Sequence, residues 1–326
     1  MLQLRPITHS ELPDLLALHQ RTEAFDSIPR VLSLEEMEEE IDDHHVVLAS
    51  DTRVATLDGT LAGYAYTYHL PSEVREERLF VFGLVAPEHR RKGVGTALMQ
   101  WAIERGEQQL RSTGRSLPLY LRVDAFDHVE SAHRLFASLG MEVVRYHDEL
   151  IRPLQDLPPL PAAPAGLRIV PWPTGEGAGQ GASRDEEIRL VKNEAFADHW
   201  GSTPTSAHHW AQMLHGPGAR LDLSFVAEDG AGRVVAHCLC KRWPADDEIT
   251  GRRDAWIDNL GTLREHRGRG VASALIAHSL HAFAADGLTH AMIGVDSESP
   301  TGAARLYRSL GFGPLSRRIN HQIQFQ

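Results

Sequence analysis

The chain has 326 residues, 42% of them hydrophobic and 24% charged, an ordinary balance for folded protein and the length of about two domains. With 33 Lys plus Arg against 44 Asp plus Glu, its formal charge of -11 repels polyanions. That field argues against general nucleic-acid or anionic-membrane binding, favours cationic partners such as amines, and requires any phosphate site to be built locally.

The opening MLQLRPITHSELPDLL lacks a basic segment followed by an apolar one, so no signal peptide is expected. No apolar run reaches bilayer-spanning length, and a cytoplasmic location is the expectation. Leu2–Arg5 reads as a short strand stopped by Pro6, and Leu12 to Ala24 as a helix. Val46–Ala49 and Leu61–Tyr66 read as strands, with Asp58-Gly59 supplying a hairpin turn between them. A strand from Leu79 to Val85 enters a basic, glycine-containing turn and a helix; Leu119–Val123, another helix and a last strand follow. Arg152 to Gly166, with prolines at 153, 158, 159, 161 and 164, cannot sit in a helix or a sheet interior and reads as a stiff connector.

The same order then recurs. Leu167–Val170 is stopped by Pro171, and Gly175 to Ser183 reads as a surface loop ahead of a helix from Glu186 to Phe196. Strands Ser224–Ala227 and Val234–Leu239 flank the turn EDGAG, and Ala255 to Leu263 leads into a second basic turn and helix. Ala291–Val295, a further helix and a last strand close the chain. The offset of 165 residues, from Leu2 to Leu167, implies duplication of a whole domain rather than a solenoid. The expected organisation is residues 1–152, a linker at 153–166, and residues 167–326. Each half has a mixed α/β fold, because its strands are antiparallel first and then separated by helices. Such an internal pseudo-dimer is compatible with a monomer. Cys238 and Cys240, two apart on a strand, point the same way without favouring a disulfide and read as small core residues.

The two basic turns carry the chemistry. One reads Arg90-Arg91-Lys92-Gly93-Val94-Gly95, the other Arg267-Gly268-Arg269-Gly270-Val271-Ala272. Both fit Arg-x-x-Gly-x-(Gly or Ala) between a strand and a helix. Small residues admit close approach, first-turn N–H groups point at the ligand, and the helix dipole and neighbouring cations attract an anion. Neither turn has the Gly-Lys-Ser/Thr ending of a Walker loop or the three-glycine dinucleotide pattern.

This motif, followed in each half by Ala303-Ala304-Arg305-Leu306-Tyr307-Arg308-Ser309-Leu310-Gly311-Phe312 or by Ala132 to Met141, resembles the GNAT acyltransferase superfamily. The resemblance spans nearly the whole chain, once per half, in a tandem arrangement similar to that of mycothiol synthase. It implies a mixed sheet splayed in the middle, acetyl-CoA in the split with its pyrophosphate on the turns, and acyl transfer to a small-molecule amine. It further implies a general acid at Tyr307, a position held by Phe136 in the first half, which has no proton to give. A base on the preceding strand, nine or eleven positions before the motif arginine, falls on Asp258 or Trp256 in the second half. In the first half it falls on Val81 or Leu79, which cannot accept a proton. Asp254, Asp296 and His237 remain alternatives to Asp258, which could equally bind the amine or cap a loop. Leu260 and Thr262, or Gly83 and Val85, would offer main-chain groups to the pantetheine and thioester. Asp198 and Trp200 fall where an acceptor-binding loop would lie.

The second half therefore keeps plausible acid and base, and the first keeps only the cradle. None of the 19 histidines stands in a zinc pattern, so no metal is expected; His44-His45 should diverge, while His278 and His281 could share a helix face. Two other readings remain open: a non-catalytic acyl-CoA sensor, and an acyltransferase acting on a protein or peptide amine.

Overall fold

Asp58 and Gly59, at φ of 51° and 81°, make the positive-φ hairpin turn that their sequence calls for. The computed structural model describes residues 1–72, 74–173, 180–216, 218–299 and 302–326, without the side chains of 180–183. The chain divides into unit 1, Met1–Tyr146 with Arg317–Gln326, and unit 2, His147–Ser316.

Unit 1 runs β1 (Leu2–Arg5), α1 (Leu12–Phe25), α2 (Leu34–Asp42), α3 (Leu48–Asp51), β2 (Thr52–Leu57), β3 (Thr60–Leu70) and β4 (Glu77–Val85). Next come α4 (Val94–Ser112), β5 (Leu119–Phe126), α5 (Glu130–Ser138) and the start of β6 (Glu142–Pro153). Unit 2 continues from β6 through β7 (Leu167–Pro171), α6 (Gln180–Ala195), α7 (Ala207–His215), β8 (Phe225–Asp229), β9 (Val234–Lys241) and α8 (Asp246–Thr250). It closes with β10 (Asp254–Thr262), α9 (Val271–Ala285), β11 (His290–Asp296), α10 (Ala303–Ser309) and the start of β12 (Gly313–Phe325).

The last strands are exchanged. In unit 1 the order is β1-β2-β3-β4-β5-β12, with Arg318–Phe325 of β12 antiparallel to β5. In unit 2 it is β6-β11-β10-β9-β8-β7, with His147–Pro153 of β6 antiparallel to β11. Each unit thus takes its terminal strand from the other half of the sequence, so its boundaries depart from a division at 152 and 167. Of the proline-rich stretch, Arg152 and Pro153 end β6 and pair with β11, against the expectation that it stays out of the sheet; residues 154–166 form neither helix nor strand, and Ala165 and Pro158 offer carbonyls to Arg269 and His281.

Two local expectations change. Val46–Ala49 is not a strand: the Asp51 carboxylate accepts the Val47 amide, folding Leu48–Asp51 into a helical turn, and the strand starts at Thr52. Of the stretch Gly175–Ser183, residues 175–179 lie outside the described residues, and from Gln180 the chain is already α6. Cys238 and Cys240 are buried free thiols whose sulfurs lie 3.3 and 3.5 Å from the Ser279 hydroxyl, inside the core of unit 2.

Candidate active site

β10 is antiparallel to β9 through Thr262 but parallel to β11 only from Asp254 to Ile257. Its register against β9 shifts between Ile257 and Asn259, leaving Asp258 as a bulge at the point where β11 departs. Leu263 N donates to Val235 O at 3.0 Å; by antiparallel alternation, the main-chain groups of Leu260 and Thr262 face the open side of β10. Unit 1 opens similarly: β4 pairs with β5 only from Glu77 to Phe80, and the Ala86–Ala62 bond turns Gly83 and Val85 to the open side. There β4 keeps one register against β3, and Gly83 sits at φ 147°, a conformation that favours glycine, where a Cβ would lie 2.2 Å from the Tyr64 carbonyl oxygen.

Past β10, Gly268 and Gly270 adopt φ of 71° and 82°, and α9 begins at Val271 with no side-chain cap, leaving its first amides for a ligand. Unit 1 has Gly93 at φ 84° before α4, but Arg91, at φ 61°, stands where unit 2 has Gly268 and adds backbone strain of about 1–2 kcal/mol. In unit 2 a cavity of about 330 Å³ brings together Leu260, Thr262, Arg267, Gly268, Gly270, Val271, Ala272 and Tyr307. Arg269 is not among its lining residues; it donates to Ala165 O at 3.1 Å. The Thr262 hydroxyl is buried with no hydrogen-bond partner among the described residues.

The motif arginines turn inward. Arg267 donates from Nε to Thr262 O at 3.1 Å, from Nη1 to Asp198 at 2.6 Å and from Nη2 to Ala195 O at 2.7 Å. Its guanidinium holds the Asp198 carboxyl down to about 2, below the usual carboxylate range. Arg90 likewise donates to Val85 O at 3.3 Å and to both oxygens of Asp26 at 2.7 and 2.5 Å. Both arginines are therefore struts between the turn and the end of the first helix of their unit. Asp198, expected on an acceptor-binding loop, pairs with both Arg267 and Arg264. Trp200 lies in the turn after α6 and is not among the cavity-lining residues.

Tyr307, 7% exposed, reaches the cavity from α10 with Ala303 and Leu306, and its hydroxyl has no hydrogen-bond partner among the described residues. Burial pushes its pKa up, so it stays protonated at neutral pH. Its counterpart Phe136 is buried in unit 1 with its ring edge-on to His321, centroids 5.2 Å apart. Asp258 lies just beyond Leu260, paired with Lys241 at 3.6 Å. The alternatives are less available: Asp254 is bonded to Arg252, and Asp296 ends β11, accepting the Glu298 amide. His237 is fully buried against Asn259, and desolvation lowers it to about 4.

Sequence reasoning missed His199 and His266, which also line the cavity, because their approach depends on the fold of α6 and the turn. Burial lowers the pKa of His199. His44 and His45 do not diverge: their rings lie 3.7 Å apart beside Asp43, whose carboxylate accepts the His45 amide and faces its ring nitrogen at 2.8 Å. These three could hold an ion by spacing. His278 and His281 each face a backbone carbonyl, of Ala274 and Pro158. No helix among the described residues is long and apolar enough to cross a membrane.

The family model for the Acetyltransferase (GNAT) family matches residues 12–141 and again 186–312, well over half the chain. A mycothiol acetyltransferase of Salinispora arenicola is 32% identical over 82% of this chain and 80% of its own length. One from Kocuria rhizophila is 28% identical over 94% of each. Among solved structures, a GCN5-related N-acetyltransferase from Sphaerobacter thermophilus superposes with a TM-score of 0.76 at 24% identity, covering 99% of this chain and 95% of its own. A tandem GNAT protein from the clavulanic acid biosynthesis pathway superposes at 0.71 and 18%, covering 99% and 98%. Two splayed mixed sheets, each with an uncapped helix behind a glycine turn, and a family match to each half lead to one conclusion: the chain belongs to the GNAT acetyltransferase family, in tandem form, and is an N-acetyltransferase that uses acetyl-CoA.

Proposed function

We propose that unit 2 transfers an acetyl group from acetyl-CoA directly to a primary amine of a small molecule. The observation that carries this is one cavity lined together by Gly268, Gly270, Val271 and Ala272 of the turn, Leu260 and Thr262 of β10, and Tyr307. These residues fit the donor. Nothing lies within 4 Å of where a Cβ would stand on Gly268 or Gly270, so a diphosphate can approach the backbone. Leu260 and Thr262 present main-chain groups beside the unpartnered Thr262 hydroxyl, in position for an amide-bearing arm. Acetyl-CoA supplies the activated acyl group, its C–S bond breaking as the C–N bond to the amine forms.

The chain's own groups then handle the protons. Asp258, next along β10 from the cavity, accepts the proton that the amine must lose, directly or through water. Tyr307, held protonated by its burial, donates to the departing sulfur. Arg267, tied to Asp198, fixes the turn so that the α9 amides keep their aim. Unit 1 keeps the turn and the open strand edge but has Phe136 in place of the acid; it holds CoA without turnover or is a remnant.

An acceptor screen reading CoASH release tests the reading, across aminoglycosides, polyamines, amino acids and amino-sugar thiols. Release dependent on one amine class is expected. A chain that binds acetyl-CoA and frees no CoASH with any amine is a sensor, and the transferase reading fails.

A further inference from the structure

Beyond the end of the cavity, β9 and β10 set Lys241, Trp256 and Asp258 side by side. Trp256 pairs in register with Lys241, and Asp258 is the bulge two residues before Leu260. The Lys241 ammonium and the Asp258 carboxylate stand 3.6 Å apart with their side chains only 19% and 27% exposed. Neighbouring ion pairs in unit 2 are closed to hydrogen-bond distance: Arg242–Asp247 at 2.5 Å, Arg267–Asp198 at 2.6 Å and Arg252–Asp254 at 3.0 Å. Among the described residues, neither Lys241 nor Asp258 makes a side-chain hydrogen bond. Two opposite charges, mostly withdrawn from water and just beyond each other's hydrogen-bond reach, keep unused donor and acceptor capacity, which is costly unless a ligand fills it. Trp243 stands at the Lys241 ammonium, ring centre 5.9 Å away, and meets Trp256 at 82° with centroids 6.4 Å apart, forming an apolar corner beside the pair.

We infer that the acceptor is a zwitterionic α-amino acid with an apolar side chain. Its ammonium is drawn to Asp258, its carboxylate bonds Lys241, and its side chain packs along Trp243 and Trp256. This rests on the transferase reading above and makes Lys241 the residue that selects a carboxylate next to the reacting amine. An amine without that carboxylate satisfies Asp258 but separates Lys241 from its counter-charge, so it is the poorer substrate.

The test compares kcat/KM for phenylalanine and for 2-phenylethylamine, which lacks only the carboxylate, in the wild type, Lys241→Met and Lys241→Arg. The wild type is expected to favour phenylalanine by about tenfold or more, the scale of one charge-assisted hydrogen bond. Lys241→Met should bring that ratio near one, chiefly through KM for phenylalanine, and Lys241→Arg should restore it. Acetylation of 2-phenylethylamine at least as fast as phenylalanine by the wild type, or a ratio indifferent to Lys241→Met, overturns this inference while leaving the transferase intact. No CoASH release from any amine overturns the transferase reading, and this inference with it.

Discussion

Arg267 and Asp198, 69 residues apart in sequence, meet at 2.6 Å and tie the glycine turn to the end of α6. Arg90 and Asp26 repeat the contact in unit 1 at 2.7 Å. In each unit the motif arginine therefore holds the backbone of the glycine turn.

Asp198→Asn should loosen the turn and weaken acetyl-CoA binding, measured by calorimetry. The partly exposed pair is worth on the order of 1 kcal/mol in stability. Because Arg267 lowers the folded-state pKa of Asp198 from the usual 3.8 to about 2, the stabilisation is present above pH 4 and lost as pH falls toward 2. Acid unfolding of the variant should lack that component.

His237 predicts a second pH effect at higher pH. Its folded-state pKa is lowered from 6.5 to about 4, so the unfolded chain takes up its proton first on acidification. Stability should fall as pH drops from 6.5 toward 4. His45, His199 and His321 are shifted the same way, so the difference between wild type and His237→Gln isolates this group. Urea midpoints at pH 7 and pH 4.5 should converge in the variant relative to wild type.

Strand exchange predicts an effect that domain order along the sequence would not. Deleting Arg317–Gln326 removes the strand that covers β5 and takes Ile323 and Phe325 from the core of unit 1. Hydrogen exchange should show lost protection in β4 and β5, with β8, β9 and β10 retained. Loss confined to unit 2 would contradict the observed pairing.

The duplicated order of elements, the positive-φ turn at Asp58-Gly59 and the two glycine turns were legible because each rests on local chemistry; in the second hairpin the positive φ falls on Gly232 instead of Asp229-Gly230. Strand exchange was not: a last strand is expected in each half, but strand-forming residues do not name the neighbour they pair with. The role of Asp198 was hidden for a related reason, since its partner is distant in sequence and an unpaired aspartate in a loop looks free. Val46–Ala49 misled through its apolar run, whose helical turn depends on the Asp51 side chain. The open Lys241–Asp258 pair needed the bulge, which the sequence around Asp258 does not announce.

The account turns on Tyr307 supplying the proton from within the unit 2 cavity. Turnover of Tyr307→Phe, followed as CoASH release alongside calorimetric binding of acetyl-CoA, tests it most directly. A fall of about 10²–10⁴-fold in kcat with binding retained is predicted. Unchanged turnover across acceptors would contradict it.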